Sequence, residues 1–441
     1  MGLLRGLRDF ADLKRHARWQ KERLAAYQRN ELSALVRFAV ENSPLYRELY
    51  AGRDLDDFAA LPSIDKQLMM ERFDDLNTAG LPADDLMEFA LAQERSGDFS
   101  GYFDGRWVVG LSSGTSGGRG LVLTDRQVTE RLPSVFAARS GVPLSLLPWR
   151  IVFMLRVFSQ GFADIASPLV SITYVPTMTD PTEVVRRARE QRANILTAPP
   201  SVLRLLAPYA DQLPRVQLLV SYAEVLDDHV AAEIRAAFGV PLIQIYQASE
   251  GAIACTCAHG NLHINEDLVY VELLDADGAP VTEPGVPCSE MLVTNLYNRA
   301  QPLIRYRMGD VITLGEPCSC GSAFRTIGRI IGRRDDVLWV PCGDKLKPLF
   351  PDLACRWIIA ASGEIAEYRV EQHSPDALSI ALQLPEDADR AAIEADVCDA
   401  FRERLAELGL GPVEVSVSTL EPGAITVGAK PKRFVRHFSQ P

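Results

Sequence analysis

Apolar positions in the middle of the chain recur with two periods, and each period predicts one kind of element. Short continuous apolar runs are typical of buried strands, whereas spacings of three and four residues indicate an amphipathic helix. The predicted strands lie within 149–175 and at 195–197, 218–220 and 242–245, and the predicted helices lie at 181–191, 200–209 and 227–238. Because strands alternate with helices, we expect a parallel sheet with helical crossovers and with ligands at the carboxyl ends of its strands.

The two ends of the chain show other patterns. Residues 7–50 predict amphipathic helices that cap the main domain and leave a solvated basic face. Their apolar face consists of Leu24, Leu32, Leu35, Val36 and Phe38. Further strands are predicted at 268–274, 291–296, 368–371, 378–384 and 413–418, and a helix at 390–408. The mixture after residue 337 predicts an α+β module.

A loop rich in hydroxyls and glycines lies between two apolar runs at 107–111 and 121–123. It consists of Ser112, Ser113, Gly114, Thr115, Ser116, Gly117, Gly118, Arg119 and Gly120. The pattern predicts a strand, a glycine hairpin and a strand, in which bare backbone and hydroxyl groups approach a polyphosphate. The alternative is a surface turn. The loop does not end in the Gly-Lys-Ser/Thr sequence of a Walker loop, so that type of phosphate site is disfavoured.

Composition narrows the classes of function. The chain has 441 residues, of which 47% are hydrophobic and 24% charged, and this is typical of a globular protein of two or three domains. A formal charge of -12 argues against nucleic acid as the main ligand. No apolar run reaches the roughly 18 residues of a membrane span. Residues 1–6 lack the apolar region of a signal peptide, so we expect a cytoplasmic protein. The chain contains neither a Gly-x-Ser-x-Gly elbow nor a His-Glu-x-x-His pair, so no motif supports a hydrolase or zinc-protease function.

Eight cysteines are present, and four of them lie in two Cys-x-Cys pairs accompanied by histidines. In a reducing compartment such a pattern favours a metal site over a set of disulfides. Thiolates and imidazoles in sets of four are the ligands that zinc prefers. The candidate ligands are Cys255, Cys257, His259, His263, Cys318 and Cys320. Reduced cysteines on two loops are the alternative.

Five motifs occur in an order that resembles the adenylate-forming superfamily of acyl-CoA synthetases, peptide-synthetase adenylation domains and luciferases. They are SSGTSGGRG at 112–120, YQASEG at 246–251, YRMGD at 306–310, GRRDD at 332–336 and GAKPKR at 428–433. The segments ENSPLYRELY at 41–50 and LPSIDKQLMMERFDDLNT at 61–78, with the Cys/His cluster, resemble the branch of phenylacetate-CoA ligases and deazaflavin-adenylating synthetases. The resemblance implies an α/β fold. A large adenylation domain at 1–333 would combine parallel-sheet α/β subdomains with a small β-rich subdomain, and a small mobile α+β domain would follow at 334–441.

The resemblance also implies a site for ATP. The nucleotide-binding residues would be Ser112, Ser113, Gly114, Thr115, Ser116, Gly117, Ser221, Ala223, Glu224, Tyr246, Gln247, Ala248, Ser249, Glu250, Asp310 and Arg333. In this set the glycine-rich loop would hold phosphates and Tyr246 would contact adenine. Glu250 would bind Mg²⁺ and Asp310 would bind the ribose hydroxyls. The family commonly has glycine where this chain has Gln247.

The implied catalytic residues are Lys430, Glu250 and Thr115, with Lys432 as the alternative lysine and Asp335 as the hinge between domains. In the related branch, a Cys before Gly-x-Leu-His and a later Cys-x-Cys-Gly imply that Cys257, His263, Cys318 and Cys320 bind a structural zinc. Cys255 and His259 are then reserve ligands. Four soft ligands leave no open position for water, which is why a structural site is expected.

The activity implied by the resemblance is ATP-dependent conversion of a carboxylic acid, aromatic or medium-chain, to an acyl-adenylate with release of pyrophosphate. Coenzyme A would then accept the acyl group. One alternative passes it to an amine, a hydroxyl or a carrier-protein thiol, or activates a small inorganic acid such as nitrite. A phosphate-releasing kinase and a non-catalytic nucleotide-binding scaffold are further alternatives. The oligomeric state is left open, with a dimer among the options.

Overall fold

The computed structural model describes residues 3–96, 98, 101–111, 120–155, 169–177, 179–365, 367–421 and 433–438. Contacts between residues divide the chain into two compact units. The N-terminal unit consists of Met1–Met308 and Thr313–Arg329, and the C-terminal unit consists of Gly309–Ile312 and Ile330–Pro441. The predicted α/β class is confirmed.

The described residues form helices of two kinds. The α-helices are Leu3–His16, Lys21–Asn42, Pro44–Leu49, Lys66–Glu71, Phe73–Leu76, Ala83–Ser96, Arg126–Thr129, Leu132–Arg139, Pro181–Glu190, Pro200–Leu206, Asp228–Phe238, Pro351–Ala361 and Arg390–Glu407. The 3-10 helices are Phe58–Ala60, Leu144–Leu146, Ala207–Gln212 and Arg334–Asp336.

The strands of the described residues are numbered here in chain order. They are β1 (Trp107–Leu111), β2 (Leu121–Asp125), β3 (Trp149–Leu155), β4 (Val170–Pro176), β5 (Ile195–Ala198), β6 (Leu218–Ser221), β7 (Leu242–Ala248), β8 (Gly251–Thr256), β9 (Leu262–Ile264), β10 (Val269–Leu274), β11 (Glu290–Asn295), β12 (Tyr306–Arg307), β13 (Asp310–Leu314), β14 (Thr326–Arg333), β15 (Leu338–Cys342), β16 (Lys345–Leu349), β17 (Glu367–Ser374), β18 (Ala377–Gln383), β19 (Glu414–Thr419) and β20 (Phe434–Arg436). The largest sheet has the order β13-β14-β9-β8-β7-β6-β5-β3-β4.

The predicted parallel sheet is confirmed in the N-terminal unit. Strand β3 runs parallel to β4 and β5, and β5, β6 and β7 continue the parallel order. Residues in β5 and β6 are buried throughout, which explains why these strands appear in the sequence as continuous apolar runs. The crossover helices bury Val184, Leu203 and Ile234 in the core beside the sheet.

The predicted N-terminal helices are also confirmed. Leu24, Leu35 and Val36 are buried on one face of Lys21–Asn42. Phe38 is only half-buried, and its ring lies 4.8 Å from the guanidinium carbon of Arg299.

The C-terminal unit is built around the four-stranded sheet β19-β18-β17-β20. Strands β17 and β18 are antiparallel, and each has a parallel partner on its outer side. The apolar positions of the sheet bury Val370 and Ile380 against Phe401 of the long helix Arg390–Glu407. The predicted strands at 368–371, 378–384 and 413–418 and the predicted helix at 390–408 are confirmed.

Candidate active site and metal centre

The glycine-rich loop connects two strands that form an antiparallel hairpin. Leu111 at the end of β1 lies opposite Leu121 at the start of β2, so the predicted pair of strands is confirmed. The residues between them that carry the phosphate-binding prediction, Ser112, Ser113, Gly114, Thr115, Ser116 and Gly117, lie outside the described residues.

Buried amide side chains hold the second strand of this hairpin in place. Gln301 accepts a hydrogen bond from the backbone N–H of Leu123 at 2.8 Å and donates one to the carbonyl of Leu121 at 3.1 Å. Asn298 donates to the carbonyl of Leu123 at 3.0 Å. These bonds satisfy backbone groups of β2 that are not paired with β1. They also hold β2, the strand that follows the glycine-rich loop, in place. Neither side chain was predicted to support the site, because the bonds span 175 residues or more along the chain.

One carboxylate ties the loop that follows β6 to the helix Pro200–Leu206 that follows the neighbouring strand β5. Ser221 ends β6 and is fully buried. Ala223 then adopts a φ of 67°, which is uncommon for a residue other than glycine. The carboxylate of Glu224 accepts hydrogen bonds from the backbone N–H and the hydroxyl of Ser201 at 3.2 and 3.0 Å. Ser201, which follows β5, is therefore a support of the predicted adenine segment that no sequence motif marks.

The YQASEG motif forms the turn of a hairpin. Strands β7 and β8 are antiparallel with a register shift after Tyr246, and Ser249 and Glu250 form the turn between Ala248 and Gly251. Tyr246 is half-buried, with its hydroxyl 3.9 Å from the sulfur of Met291. Gln247 and Ser249 are exposed, and Ala248 and Glu250 are half-buried.

The backbone after Glu250 has little space. Asn295 donates a hydrogen bond from its side-chain amide to the carbonyl of Glu250 at 2.7 Å. Gly251 has a φ of 154°, and an added Cβ would lie 3.1 Å from Val269 and 3.3 Å from Asn295. Only glycine combines this backbone conformation with this close approach, which explains its place in the motif. Asn295 thus fixes the turn that presents Glu250.

Asp310 and Arg333 both belong to the C-terminal unit. Asp310 begins β13 and Arg333 ends β14, with Arg333 Nε 3.9 Å from Asp310 Oδ1. The backbone N–H of Arg334 donates to the carbonyl of Gly309 at 2.7 Å, so the two segments are joined directly. Asp335 lies in the 3-10 helix Arg334–Asp336. Lys430 and Lys432 lie outside the described residues.

The structure brings together the four side chains predicted to bind zinc. One ligand atom from each of Cys257, His263, Cys318 and Cys320 lies within 4.8 Å of the others. The sulfurs of Cys257 and Cys318 are 3.8 Å apart, and the sulfur of Cys320 is 3.5 Å from Nε2 of His263. Tetrahedral zinc, with bonds of about 2.3 Å to sulfur and 2.0–2.1 Å to nitrogen, would separate two sulfurs by about 3.8 Å and a sulfur from a nitrogen by about 3.6 Å. The four side chains therefore fit a zinc ion.

Surrounding hydrogen bonds orient this cluster. His263 donates from Nδ1 to the carbonyl of Phe324 at 2.9 Å, which leaves Nε2 as the nitrogen that faces the sulfurs. The side-chain amide of Asn261 and the backbone N–H of Cys320 donate to the sulfur of Cys318 at 3.1 and 3.4 Å. Although desolvation opposes it, these donors lower the pKa of the Cys318 thiol and favour the thiolate that a metal needs.

The two reserve ligands are engaged elsewhere. Burial raises the pKa of the Cys255 thiol to about 11, and its sulfur lies 3.7 Å from the side-chain amide of Asn265. His259 Nδ1 lies 2.9 Å from the hydroxyl of Ser319, and its backbone N–H donates to the sulfur of Cys257 at 3.3 Å. His259 thus supports a sulfur of the cluster through its backbone.

Comparisons with known proteins agree with the fold and the motifs. No protein-family model matches the chain. It is 27% identical over 440 residues to the phenylacetate-coenzyme A ligase of Thermus thermophilus, with 91% of this chain and 94% of that protein covered. It is 24% identical over 419 residues to the phenylacetate-coenzyme A ligase of Escherichia coli, with 88% and 89% covered. These similarities span most of the chain and support its resemblance to the adenylate-forming superfamily, in the branch of the phenylacetate-CoA ligases.

A solved structure of this superfamily shares the fold of the whole chain. A 2-hydroxyisobutyryl-CoA ligase in complex with 2-HIB-AMP gives a TM-score of 0.70 at 18% identity, with 96% of this chain and 91% of that chain covered. The family resemblance predicted from the five motifs is confirmed, as is the prediction of an AMP-forming acid ligase. Within the described residues, no helix combines the length and the apolar character that a membrane crossing requires.

Proposed function

We propose that this ligase converts a carboxylic acid to a coenzyme A thioester in two steps. A carboxylate oxygen attacks the α-phosphorus of ATP, forming the acyl-adenylate and releasing pyrophosphate. The sulfur of coenzyme A then attacks the acyl carbon, loses its proton and releases AMP. The proposal is supported by the full-length similarity to two phenylacetate-coenzyme A ligases and by a solved ligase with 2-HIB-AMP and CoA.

One observation on this chain carries the nucleotide part of the proposal. Strands β6 and β7 are parallel neighbours, with Ser221 opposite Gln244. Their polar ends therefore deliver Ser221 and Glu224, and then Tyr246 and Glu250, to the same edge of the sheet, where ligands of parallel sheets bind. Hydrogen bonds from Ser201 and Asn295 hold the two polar segments in place, so their positions at this edge of the sheet are fixed.

Each motif residue then has a role that suits its chemistry. The loop 112–117 binds the β- and γ-phosphates, and Ser221, Ala223 and Glu224 line the adenine pocket together with Tyr246. The carboxylate of Asp310 accepts hydrogen bonds from the vicinal ribose hydroxyls, and Arg333 neutralises phosphate charge. Lys430 contacts the acid and the α-phosphate as negative charge develops, which lowers the barrier by electrostatic stabilisation.

Two metals fit the residues present. Cys257, His263, Cys318 and Cys320 would hold a structural zinc with no position left for water. The half-buried carboxylate of Glu250 is a hard oxygen ligand of the kind that suits Mg²⁺, which would neutralise charge on the triphosphate.

An aromatic acid is the substrate class that the side chains support. The rings of Phe153 and Tyr222 stack at 5.2 Å between centroids and 11° between planes. Tyr222 is buried, donates its hydroxyl to the carbonyl of Met154 and lies within the predicted adenine segment, between Ser221 and Ala223. An aromatic surface at that segment favours a flat apolar acid over a charged one.

The proposal is tested by pyrophosphate release with a panel of acids that includes phenylacetate, straight medium-chain acids and nitrite. We expect release to require ATP, Mg²⁺ and an aromatic acid, and coenzyme A to be converted to a thioester as AMP appears. Release of phosphate with ADP, or the absence of pyrophosphate with every acid, would overturn the proposal. Pyrophosphate release that coenzyme A leaves unchanged would keep the adenylation step and overturn the thioester step.

A further inference from the structure

A second group of metal-binding side chains lies on the C-terminal unit, separate from the Cys/His cluster. Glu371 and His373 are two residues apart in β17, and the pairing of β17 with β18 shifts register between Gln372 and Ser374. Between them, Gln372 is fully buried. Gln372 thus faces the core, whereas Glu371 is half-buried and His373 is exposed at the register shift.

The third member comes from the neighbouring strand. Strand β20 pairs in parallel with β17, with Arg436 opposite Gln372. The backbone N–H of His437 donates to the carbonyl of Gln372 at 2.9 Å, which continues the pairing by one step and places His437 beside His373. The two imidazole rings stack at 4.6 Å between centroids and 5° between planes. His437 Nε2 lies 3.0 Å from a carboxylate oxygen of Glu371.

The distances within this group suit a metal ion. One ligand atom from each of the three residues lies within 4.8 Å of the others. Bonds of about 2.0–2.1 Å in a tetrahedral arrangement would set neighbouring nitrogen and oxygen ligands about 3.4 Å apart. Both imidazoles are exposed, so rotation of their side chains can turn a nitrogen of each towards a common centre without disturbing the core.

The charges of the group are also suitable. The carboxylate of Glu371 contacts the guanidinium of Arg369 and the imidazole of His437. Arg369 Nε lies 2.8 Å from Oε1 of Glu371, whereas His437 contacts Oε2. One carboxylate oxygen is therefore held by the guanidinium and the other faces the imidazoles. Two imidazole nitrogens with one carboxylate oxygen favour Zn²⁺, Ni²⁺ or Cu²⁺ over Mg²⁺ or Ca²⁺.

We propose that Glu371, His373 and His437 form a second site that binds a divalent transition-metal ion and leaves at least one coordination position open. The ion would cross-link β17 to β20, whose described pairing comprises three residues of each strand. Strand β20 begins four residues after Lys430 in the sequence, so the cross-link would anchor the chain directly after the predicted catalytic lysine. This inference does not depend on the proposed function.

The test is a calorimetric titration of Ni²⁺ into full-length protein whose zinc content has been measured first. We expect about one additional equivalent of Ni²⁺ to bind the native chain. His373→Gln and His437→Gln should each weaken this binding at least tenfold, because each removes one of three ligands. His229→Gln changes an exposed histidine outside the group and should leave the binding unchanged.

Two further measurements separate this site from the Cys/His cluster and from misfolding. The Cys318→Ser chain should retain the Ni²⁺ equivalent, and the metal-free His373→Gln and His437→Gln chains should melt at the native temperature. In the native chain, added Ni²⁺ should broaden the imidazole signals of His373 and His437 before that of His229. Equal Ni²⁺ binding by the native chain and both histidine variants, or binding that is lost with Cys318→Ser, would overturn the proposal.

Discussion

The Cys/His cluster and the residues predicted to bind nucleotide are distributed differently over the chain and its two units. The cluster takes its four side chains from two short segments, 257–263 and 318–320, which both belong to the N-terminal unit. The residues predicted to bind nucleotide come from at least four separate segments. Among its described members, Tyr246 and Glu250 belong to the N-terminal unit, whereas Asp310 and Arg333 belong to the C-terminal unit.

This difference indicates which property of the protein each group of residues affects. A closed set of ligands within one unit is complete when that unit folds, and its free energy of metal binding contributes to the stability of the fold. The residues predicted to bind nucleotide are not confined to one unit, so the folding of one unit alone does not supply all of them. We therefore expect changes in the cluster to affect stability and metal content, and changes in the divided set to affect nucleotide binding and rate.

The largest effect is expected from Cys318→Ser. Serine lacks the soft thiolate, so zinc content should fall from about one per chain to a small fraction, and the melting temperature should fall by several degrees or more. Metal analysis and thermal unfolding measure both changes. Cys398→Ser alters a half-buried cysteine of the C-terminal unit and should change neither quantity. Zinc-free native protein of unchanged stability would remove the structural role from the comparison.

The next effect concerns the predicted catalytic lysine. Lys430→Ala should slow adenylate formation by on the order of a hundredfold or more, since the transition state would no longer be stabilised by a positive charge, at a cost of several kcal/mol. Chemically supplied acyl-adenylate bypasses this step, so thioester formation from it should proceed at nearly the native rate.

Lys432→Ala is the matched control for Lys430→Ala. We expect it to form the adenylate normally in the same two assays. If Lys432→Ala is slow and Lys430→Ala is not, the roles of the two lysines are exchanged. If both variants are fast while the native enzyme releases pyrophosphate, this segment is not catalytic.

A smaller effect is expected from Asp310→Ala. If Asp310 binds the ribose hydroxyls as predicted, loss of its carboxylate should weaken ATP binding by roughly 1.5–3 kcal/mol, without a change in melting temperature. Calorimetric titration of ATP measures the first quantity. Asp376→Ala, at an exposed position of the same unit, serves as the control. Native ATP affinity in the Asp310 variant would contradict the assigned role.

The smallest effect separates a supporting residue from one that touches the nucleotide. Ser201→Ala removes a hydroxyl that donates to Glu224 at 3.0 Å, and we expect ATP binding to weaken by about 0.5–1.5 kcal/mol. Ser201→Thr keeps a hydroxyl and should recover most of the affinity. Equal losses in both variants would indicate that packing, and not the hydrogen bond, accounts for the effect.

Sequence patterns predicted those parts of the molecule that depend on residues close together along the chain. Buried strands such as β6 appear as continuous apolar runs. Residue types and spacing indicated six candidate metal ligands, from which the family resemblance selected Cys257, His263, Cys318 and Cys320. Gln301 was not predicted, because its bonds to Leu121 and Leu123 join distant segments and leave no local pattern. Ser201 was missed for the same reason.

One further part of the fold was not predicted from the sequence, because it contains prolines and charged residues. The hairpin of β15 and β16 was not predicted, because its strands contain Pro341 and Pro348 and the second strand is largely exposed. The helix Pro351–Ala361 that follows was also not predicted.

The central claim is that an oxygen of the acid becomes bonded to the α-phosphorus of ATP. It is tested most directly with an acid that the enzyme accepts, labelled with heavy oxygen in its carboxylate, followed by mass spectrometry of the nucleotide products. Because the carboxylate oxygen attacks phosphorus and the acyl carbon–oxygen bond breaks in the second step, the account predicts AMP that carries one heavy oxygen. Unlabelled AMP, or label in phosphate formed together with ADP, would contradict it.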